Sequence, residues 1–551
     1  MALVERAAAA VTPSIPKASG RGARVLALLG CAVAVAALTA LVFLVRAGDV
    51  GDGNWPANWD LRISDNGVLF QVAADVFSGH SLDWSFSPQV YVFPEIPISL
   101  AAYALAGGSV QLYYLVVAAL NNALLFLGLF AVIRYLFPAD ALRARLARAG
   151  IAVSPLLVLP LFGATPLYAF HLAPTYYFGM YLLIVTAPAL YLARSSEVRL
   201  AVALGLALTG ASNPLAFIFT VPALACVAVI RGRADGWRAV RPAAAWTGAV
   251  VVAAGAVRVL FFHRLQGGSP FAYVDSGLMA RRIEAVHVFL HGLMKHRMTG
   301  IVTVVGALLA AAGVAVAVAD ARRYRRHAAA RPAPGGDGAA DVTGARLLTR
   351  AYYGLVPLTG IVATVPLLIT NYLYLWPVLV APLVLALIAV PRRAVGPLLA
   401  AGVATFVAVG LATGASGTVA QASSRYFDYR SDETRCLDAG LPAGVTVGYA
   451  TFSDARRLSL TSARPFRLIQ LTDRGQPALW LTNRAYVTSD VGRFFYFNDS
   501  GDETVIDSNF VVTTFGRPDG QLTCGMGKTV WLYDDPAKLA AIAHFYGVRT
   551  S

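Results

Sequence analysis

The acidic residues of segment 47–109 are the side chains of this sequence best suited to proton transfer. The segment holds seven acids and one basic residue, and it lies between two long apolar stretches. Ser64-Asp65-Asn66-Gly67 precedes an amphipathic run that ends at Gly79, and Phe93-Pro94-Glu95-Ile96-Pro97 follows. A carboxylate held at the end of a helix bundle can act as a general base. The alternative is that all seven acids are solvated loop charges.

A second group of chemically useful residues lies in the basic segment 263–297. Residues 276–296 predict a helix in the membrane interface, whose cations could hold a lipid phosphate by charge-assisted hydrogen bonds. The alternative is a helix attracted to anionic lipid without specificity. His287 and His291 are four residues apart, but no acid converges on them, so the sequence predicts no metal site. The candidate phosphate-binding residues are Arg281, Arg282, Lys295 and Arg297.

Polar and aromatic residues at the ends of several apolar stretches form a third group. They fall on the same predicted side of the membrane as the acidic segment, where they could line a sugar pocket. The alternative is an interfacial belt, since aromatic residues are enriched at membrane interfaces in any case. Together with two acids of segment 47–109, the candidate pocket residues are Asp60, Glu95, His171, Tyr176, Asn371 and Tyr372.

The composition indicates what kind of protein must position these groups. Mean hydropathy is +0.62, and 14% of residues are charged, against about 25% in soluble domains. A soluble globular protein is therefore excluded. Residues 413–551 hold 14 basic and 14 acidic residues, so the net charge of +15 comes from the rest of the chain. This distribution follows the positive-inside rule and does not indicate a nucleic-acid-binding face.

Apolar stretches between residues 24 and 412 predict a mostly α-helical bundle of about eleven membrane spans, after a disordered tail at 1–23. Each stretch is close to the length needed to cross a hydrocarbon core about 30 Å thick. Arginine-rich connections alternate with others, which predicts a cytoplasmic N-terminus and places segments 47–109 and 413–551 outside. Residues 198–231 predict a tight hairpin at Ser212-Asn213-Pro214, with one kinked helix as the alternative. The predicted spans are 24–46, 110–136, 149–166, 174–193, 198–212, 214–231, 243–262, 297–319, 351–369, 372–390 and 394–412.

Residues 413–551 predict a separate extracytoplasmic domain, either a small α+β domain or a mostly β one. Alternating stretches such as 445–450 and 510–515 are separated by Gly, Asp and Asn turns, and a helix is expected near 535–546. The region has two cysteines, Cys436 and Cys524. An oxidising exterior favours a disulfide between them.

The order of features between residue 24 and about residue 240 resembles the GT-C superfamily of membrane glycosyltransferases. Protein O-mannosyltransferases and bacterial aminoarabinose transferases belong to this superfamily. The shared order is a first span, an acidic motif, an amphipathic helix that ends in Gly, a Pro-x-x-Pro-like stretch and a second span. The second span ends in the basic aromatic sequence Arg134-Tyr135-Leu136-Phe137, as in the family. The family's Asp-Glu pair is here Asp65-Asn66.

The resemblance implies an inverting transfer of a sugar from a polyprenyl-phosphate donor to an acceptor hydroxyl on a glycan, lipid or protein. Asp65 takes the position of the catalytic base in this comparison. No cofactor is expected, and a divalent metal is not supported because a second adjacent carboxylate is missing. The expected location is a bacterial inner membrane, with membrane lipids and not nucleic acid as partners. Abundant Arg and Ala beside only four Lys are typical of a GC-rich bacterial genome.

Two other classes of function remain open at this stage. One is a transporter or flippase of lipid-linked glycan, and the other is a non-catalytic protein of cell-envelope assembly. Acids are nearly absent from the cores of the predicted spans. This weighs against an ion-coupled transporter, which needs buried charges along its pathway.

The predicted topology can be tested with reporter fusions. Fusions after residues 240 and 330 should report a cytoplasmic position, and a fusion after residue 430 should report an external one, because the arginine-rich connections stay inside. An external signal after residue 240 would mean that 198–231 crosses the membrane once.

Overall fold

The computed structural model describes a mostly helical chain with a small sheet near its C-terminal end. The fold therefore agrees with the predicted helical class. The described residues are 20–48, 64–162, 177–192, 195–265, 297–330, 342–364, 430–487, 493–499 and 506–546, without a few single positions, together with 172–173, 291 and isolated positions between 381 and 428.

The N-terminal part consists mainly of helices, with one two-residue strand, β1 (Trp84–Ser85). A π-helical turn at Arg258–Phe262 and a 3-10 turn at His263–Leu265 extend the helix Trp237–Val257. The helices are α1 (Arg21–Gly48), α2 (Ser64–Ser78), α3 (Glu95–Ala106), α4 (Val110–Leu136), α5 (Leu142–Phe162), α6 (Phe178–Thr186), α7 (Ala189–Leu192), α8 (Ser196–Ser212), α9 (Leu215–Asp235), α10 (Trp237–Val257), α11 (Arg297–Ala329) and α12 (Val342–Thr364).

Five helices of the described residues are long and apolar enough to cross a membrane, against the eleven spans expected from the sequence. The number eleven is therefore too high for the part of the chain that the structure describes. The five helical stretches are Gly22–Leu44, Val110–Leu136, Leu215–Asp235, Trp237–Leu265 and Val304–Ala329.

The overestimate has several local causes. The expected span 174–193 is broken near Pro188 into α6 and α7, and α8 has 17 residues, below the roughly 20 residues that a perpendicular crossing needs. Helix α5 begins among arginines, and residues 163–166 of the expected span 149–166 lie outside the described residues. The last two expected spans, 372–390 and 394–412, lie largely outside the described residues.

The predicted break between residues 198 and 231 is confirmed as two separate helices. Helix α8 ends at Ser212 and α9 begins at Leu215. The Oδ1 atom of Asn213 accepts a hydrogen bond from the backbone N–H of Leu215 at 3.1 Å, which satisfies one of the free donors of the new helix. Pro214 suits its position directly before α9, since proline is well tolerated where a helix starts.

Two glycines bring α11 and α12 into close contact. A Cβ atom placed on Gly354 would lie 2.2 Å from the carbonyl oxygen of Gly313, so only glycine fits at this crossing. Without a hydrophobic driving force in lipid, helices associate through such close packing of small residues. We infer that α11 and α12 form a tightly paired unit within the bundle.

The arginine-rich connections converge at one end of the bundle, which we call the basic end. Here the Arg148 guanidinium lies 3.0 Å from the Asp140 carboxylate and donates to the carbonyl of Val390 at 2.7 Å. The Arg346 guanidinium donates to the carbonyl of Leu136. The guanidinium groups of Arg148 and Arg346 lie 4.1 and 4.4 Å from the ring centroid of Phe137, consistent with cation–π contacts.

The opposite end of the bundle is covered by the segment between β1 and α3. The backbone N–H of Phe86 donates to the carbonyl of Leu265 at 2.6 Å, and that of Val90 donates to the carbonyl of Ser212 at 3.0 Å. The Oγ atom of Ser212 also accepts from the backbone N–H of Phe93 at 2.8 Å. The ends of α8 and of the α10 extension are therefore joined to segment 47–109, which we call the first long loop. We call this end of the bundle the acidic end.

The C-terminal part forms a five-stranded sheet with helices around it. The strand order is β3-β2-β5-β7-β6; β2 is parallel to β3 and β5, and β7 is antiparallel to β5 and β6. This is the α+β form of the two expected types. The elements are α13 (Asp432–Gly440), β2 (Val447–Ala450), α14 (Phe452–Thr461), β3 (Arg467–Gln470), β4 (Thr482–Asn483), α15 (Arg484–Val487), β5 (Phe494–Asp499), α16 (Ser508–Phe515), β6 (Gly520–Thr523), β7 (Lys528–Tyr533) and α17 (Pro536–Tyr546).

The central strand β5 is apolar on both faces because both are covered. Successive side chains of a strand point to opposite faces. Phe494 and Tyr496 pack in one core, with α16 and α17, and Phe495 and Phe497 pack in a second core, with α13 and α14. A disulfide joins Cys436 of α13 to Cys524 beside β6, the pairing predicted from the sequence.

A network of charged side chains ties α13 to α14 and β7. The Arg457 guanidinium lies 3.1 Å from Oε2 of Glu433, and the Lys528 ammonium contacts Oε1 of the same carboxylate. Partial burial opposes ionisation of Glu433, but the Lys528 hydrogen bond and the Arg457 charge outweigh it and lower the pKa of Glu433 to about 2.

The lowered pKa of Glu433 predicts a pH-dependent stability. Its value in the unfolded chain is near 4.5, so the ionised carboxylate stabilises the fold above about pH 4.5, and this contribution is lost as the pH falls towards 2. At pH 7, Glu433→Gln should lose about 2 kcal/mol, typical of a hydrogen bond to a charged group. Thermal unfolding of the full chain in detergent should show a smaller drop between pH 5 and 3 for Glu433→Gln than for the wild type.

A matched control is available on the same helix. Asp432 is 91% exposed, and an exposed ion pair adds little to stability. Asp432→Asn should therefore keep the wild-type pH dependence. Equal pH dependence in the wild type and in Glu433→Gln would contradict the assignment.

Candidate functional site

Helix α2 carries Asp65 and lies between the bundle and the C-terminal domain. Asp65 is the second residue of this helix, and its side chain lies outside the described residues. Two positions later, a Cβ atom on Gly67 would lie 2.5 Å from Cδ1 of Leu460 in α14. The glycine thus allows the first turn of α2 to touch the C-terminal domain. The backbone of Asp65 is therefore next to this contact.

Asp75, near the other end of α2, is the main polar link between the two parts. Its side chain is about 2% exposed. Oδ2 accepts hydrogen bonds from the indole Nε1 of Trp84 at 3.0 Å and from Nδ2 of Asn483 at 2.8 Å. Oδ1 accepts from the hydroxyl of Tyr486 and lies 3.4 Å from Nδ1 of His80. With both oxygens occupied, this carboxylate is suited to holding structure and not to taking a proton from a substrate.

The phenol of Tyr486 is kept in its donor form by this arrangement. Burial, followed by the hydrogen bond to the Asp75 carboxylate and its charge, raises the pKa of Tyr486. The phenol therefore stays protonated and donates to Asp75 at all physiological pH values.

Backbone pairing reinforces the link at Asp75. Strand β1 pairs with β4 in antiparallel fashion, with Trp84 opposite Asn483 and Ser85 opposite Thr482. The guanidinium of Arg456 donates to Oε1 of Gln71 at 2.7 Å. The C-terminal domain is thus docked on α2 and β1 through strand pairing and side-chain contacts.

Glu95 occupies a buried position at the acidic end, where it caps a neighbouring helix. Its Oε1 atom accepts a hydrogen bond from the backbone N–H of Gly179 at 2.7 Å, in the first turn of α6. The N-cap residue Tyr177 makes no side-chain cap bond itself. A Cβ atom on Gly179 would lie 2.8 Å from Oε1 of Glu95, so this approach requires glycine. Glu95, the first residue of α3, therefore supplies the hydrogen-bond acceptor that the N-terminus of α6 lacks.

The protonation state of Glu95 limits its chemistry. Burial raises its pKa to about 8, although the hydrogen bond from Gly179 acts in the opposite direction. A carboxyl with this pKa is mostly neutral at pH 7 and can donate a proton. A general base needs the ionised form, so Glu95 is better suited to positioning α6 or to acid catalysis than to accepting a proton.

Two residues between α5 and α6, Leu172 and Ala173, lie inside the bundle. Leu172 and Ala173 are buried, and Nδ2 of Asn121 in α4 donates to the carbonyl of Ala173 at 3.4 Å. His171 and Tyr176 themselves lie outside the described residues.

The remaining predicted site residues fall outside the described part of the chain, apart from the backbone of Arg297. Arg297 is the first residue of α11, and its side chain is not described. Within the described residues, no group of three or more His, Cys, Asp or Glu is arranged to hold a metal ion. The other predicted residues lie outside the described residues: Asp60, Arg281, Arg282, Lys295, Asn371 and Tyr372.

Sequence reasoning missed Asp75, the best-connected acid of the acidic end. One signal was available, since Asp75 interrupts the apolar run Val72-Ala73-Ala74-Asp75-Val76-Phe77. A charged residue on the buried side of an amphipathic helix indicates a specific partner.

Comparisons with protein-family models, with curated proteins and with solved structures find no match to this chain. The fold defines a mostly helical protein with several helices able to cross a membrane and an α+β domain docked on its first long loop.

The role of Asp75 can be tested by disulfide trapping across β1 and β4. In a chain without Cys31 and Cys226, cysteines at Ser85 and Thr482 should crosslink readily because the two residues are opposite each other. Adding Asp75→Ala should slow this crosslinking at least several-fold, since buried donors left unpaired cost about 1–3 kcal/mol each.

The control for this experiment is Asp83→Ala. The carboxylate of Asp83 is 55% exposed and pairs with Arg484 at 3.1 Å, and such surface pairs contribute little. Crosslinking should stay near the original rate with Asp83→Ala. An undiminished rate with Asp75→Ala would show that docking does not depend on this carboxylate.

Proposed function

We propose that this chain is a membrane glycosyltransferase of the GT-C type. It transfers a sugar from a polyprenyl-phosphate donor to an acceptor hydroxyl at the acidic end of the bundle. The observation that carries the proposal is the docking of the C-terminal domain on α2, the helix that begins at Ser64 and carries Asp65. An acid-bearing helix enclosed between a membrane bundle and a second domain is well placed for a reaction at the membrane surface.

The proposed reaction is a single displacement at the anomeric carbon. Asp65 accepts the proton of the acceptor hydroxyl as its oxygen attacks. The bond between the anomeric carbon and the phosphate oxygen breaks on the opposite face, and its electron pair leaves with the lipid phosphate. The products are the glycosylated acceptor, with inverted configuration, and polyprenyl phosphate.

Cations near the leaving group complete this mechanism. Negative charge grows on the lipid phosphate in the transition state, and fixed positive groups stabilise it there more than in the ground state. The proposed residues are Arg281, Arg282, Lys295 and Arg297. A membrane-bound donor also explains why this reaction needs no nucleotide-binding fold.

Asp65 is favoured over Asp75 and Glu95 for a physical reason. Asp75 is saturated with donors, and Glu95 is held mostly neutral by burial. We assign Glu95 the role of positioning α6 through its hydrogen bond from Gly179. The acidic end faces the cell exterior in this proposal, and the basic end faces the cytoplasm.

The proposal predicts a large loss of turnover in Asp65→Asn. The amide keeps the size of the side chain and removes the proton acceptor, so turnover should fall about 10²-fold or more while the donor still binds. The assay uses the purified full-length protein with synthetic donors, in which a pentose or a hexose is linked to polyprenyl phosphate. A cell-envelope extract supplies the acceptor, and the release of polyprenyl phosphate is measured.

Two comparisons make this experiment specific. Asp83→Asn changes charge equally on the same loop and should keep wild-type turnover. Arg281→Ala with Arg282→Ala should instead weaken donor binding, because these residues are assigned to the phosphate. Wild-type turnover in Asp65→Asn would contradict the assignment of the base. Movement of the donor across the membrane of reconstituted vesicles, without release of its sugar, would favour a flippase.

A further inference from the structure

A cavity of about 330 Å³ lies among six helices at the basic end of the bundle. Its volume is at the lower end of the range of ligand sites, roughly 300–1,000 Å³. The lining residues come from α7 to α12: from the start of α8, α10 and α12, and from the end of α9 and α11. All of these helix ends lie at the basic end of the bundle, opposite the acidic end.

Two arginines from different helices converge on this cavity. Arg199 of α8 and Arg231 of α9 both line it, and no Asp or Glu is among its described lining residues. Asp235 lies 3.6 Å from Arg231 and also accepts a hydrogen bond from Tyr324. It neutralises part of the Arg231 charge and holds this guanidinium at the cavity wall.

The rest of the cavity wall is apolar with a few hydroxyl groups. Leu192, Leu224 and Val227 supply apolar surface, and Tyr191 and Thr349 supply hydroxyls. An inorganic anion would use the cations only. A ligand with both a charged group and apolar chains would use the whole wall.

The outside of the same helices offers a place for such chains. Leu200 and Leu204 of α8 are 49% and 55% exposed, and Val252 of α10 is 72% exposed. Exposed apolar residues on helices of this kind face lipid. Acyl chains extending from a headgroup in the cavity would therefore remain in the hydrocarbon region.

We propose that this cavity binds the phosphate headgroup of an anionic phospholipid through Arg199 and Arg231. A guanidinium matches phosphate oxygens in geometry and charge. Basic pockets between membrane helices on the cytoplasmic side are suited to anionic headgroups. The site is at the opposite end of the bundle from the proposed catalytic loop, and its occupation does not depend on any transferase activity.

The test is lipid binding by the purified full-length protein, measured by native mass spectrometry with short-chain phosphatidylglycerol. Phosphatidylcholine and inorganic phosphate serve as the comparison ligands. Phosphatidylglycerol should bind more tightly than either. Arg199→Gln and Arg231→Gln should each weaken its binding about five-fold, the contribution of one basic residue near a membrane surface.

Two further variants separate a built site from general charge attraction. Arg233→Gln removes the same charge from an exposed position close to Arg231 and should leave the affinity unchanged. Ala243→Phe places a larger side chain in the cavity without changing its charge and should weaken binding. This variant tests the site even if an arginine variant does not fold. An equal loss with Arg233→Gln, or no loss with Ala243→Phe, would overturn the proposal. Equally tight binding of inorganic phosphate would overturn its assignment to a lipid.

Discussion

The burial of one carboxylate, that of Asp75, is the constraint on which the arrangement of the two parts depends. A buried charge is stable only when hydrogen-bond donors surround it. Its donors come from Trp84 in the first long loop and from Asn483 and Tyr486 in the C-terminal domain. The loop and the domain therefore complete a single polar site, and neither part satisfies it alone. Strand pairing between β1 and β4 then fixes their register.

The bundle has two chemically different ends, and each is organised by its own kind of contact. At the basic end, guanidinium groups satisfy exposed carbonyls, as Arg148 does for Val390 and Arg346 for Leu136. At the acidic end, backbone groups of the loop and the Glu95 carboxyl satisfy helix ends. In both cases the free backbone groups that every helix leaves at its ends determine which residues are needed there. The proposed transferase site and the proposed lipid site use these two ends separately.

Local features of the fold could be predicted from the sequence, and long-range ones could not. The lengths of the apolar stretches predicted α4 and α9, and Asn213-Pro214 predicted the break before α9. Both signals depend on residues close together in the sequence. The disulfide was predictable since the region held only two cysteines. The span count was too high because apolar runs do not reveal an interruption such as that at Pro188. Asp75 was missed because two of its donors, Asn483 and Tyr486, are about 400 residues away in sequence.

This separation has a consequence for the biogenesis of the protein. Asn483 follows Asp75 by 408 residues, and at 5–20 residues per second the ribosome needs roughly 20 to 80 s to synthesise that interval. During this time the Asp75 carboxylate lacks the donors that Asn483 and Tyr486 supply. The nascent chain therefore remains open at this loop until the last quarter of the protein emerges. Closure around Asp75 is a late step of assembly, and a chain truncated before residue 483 would be recognisable by quality control from this incompletely paired carboxylate.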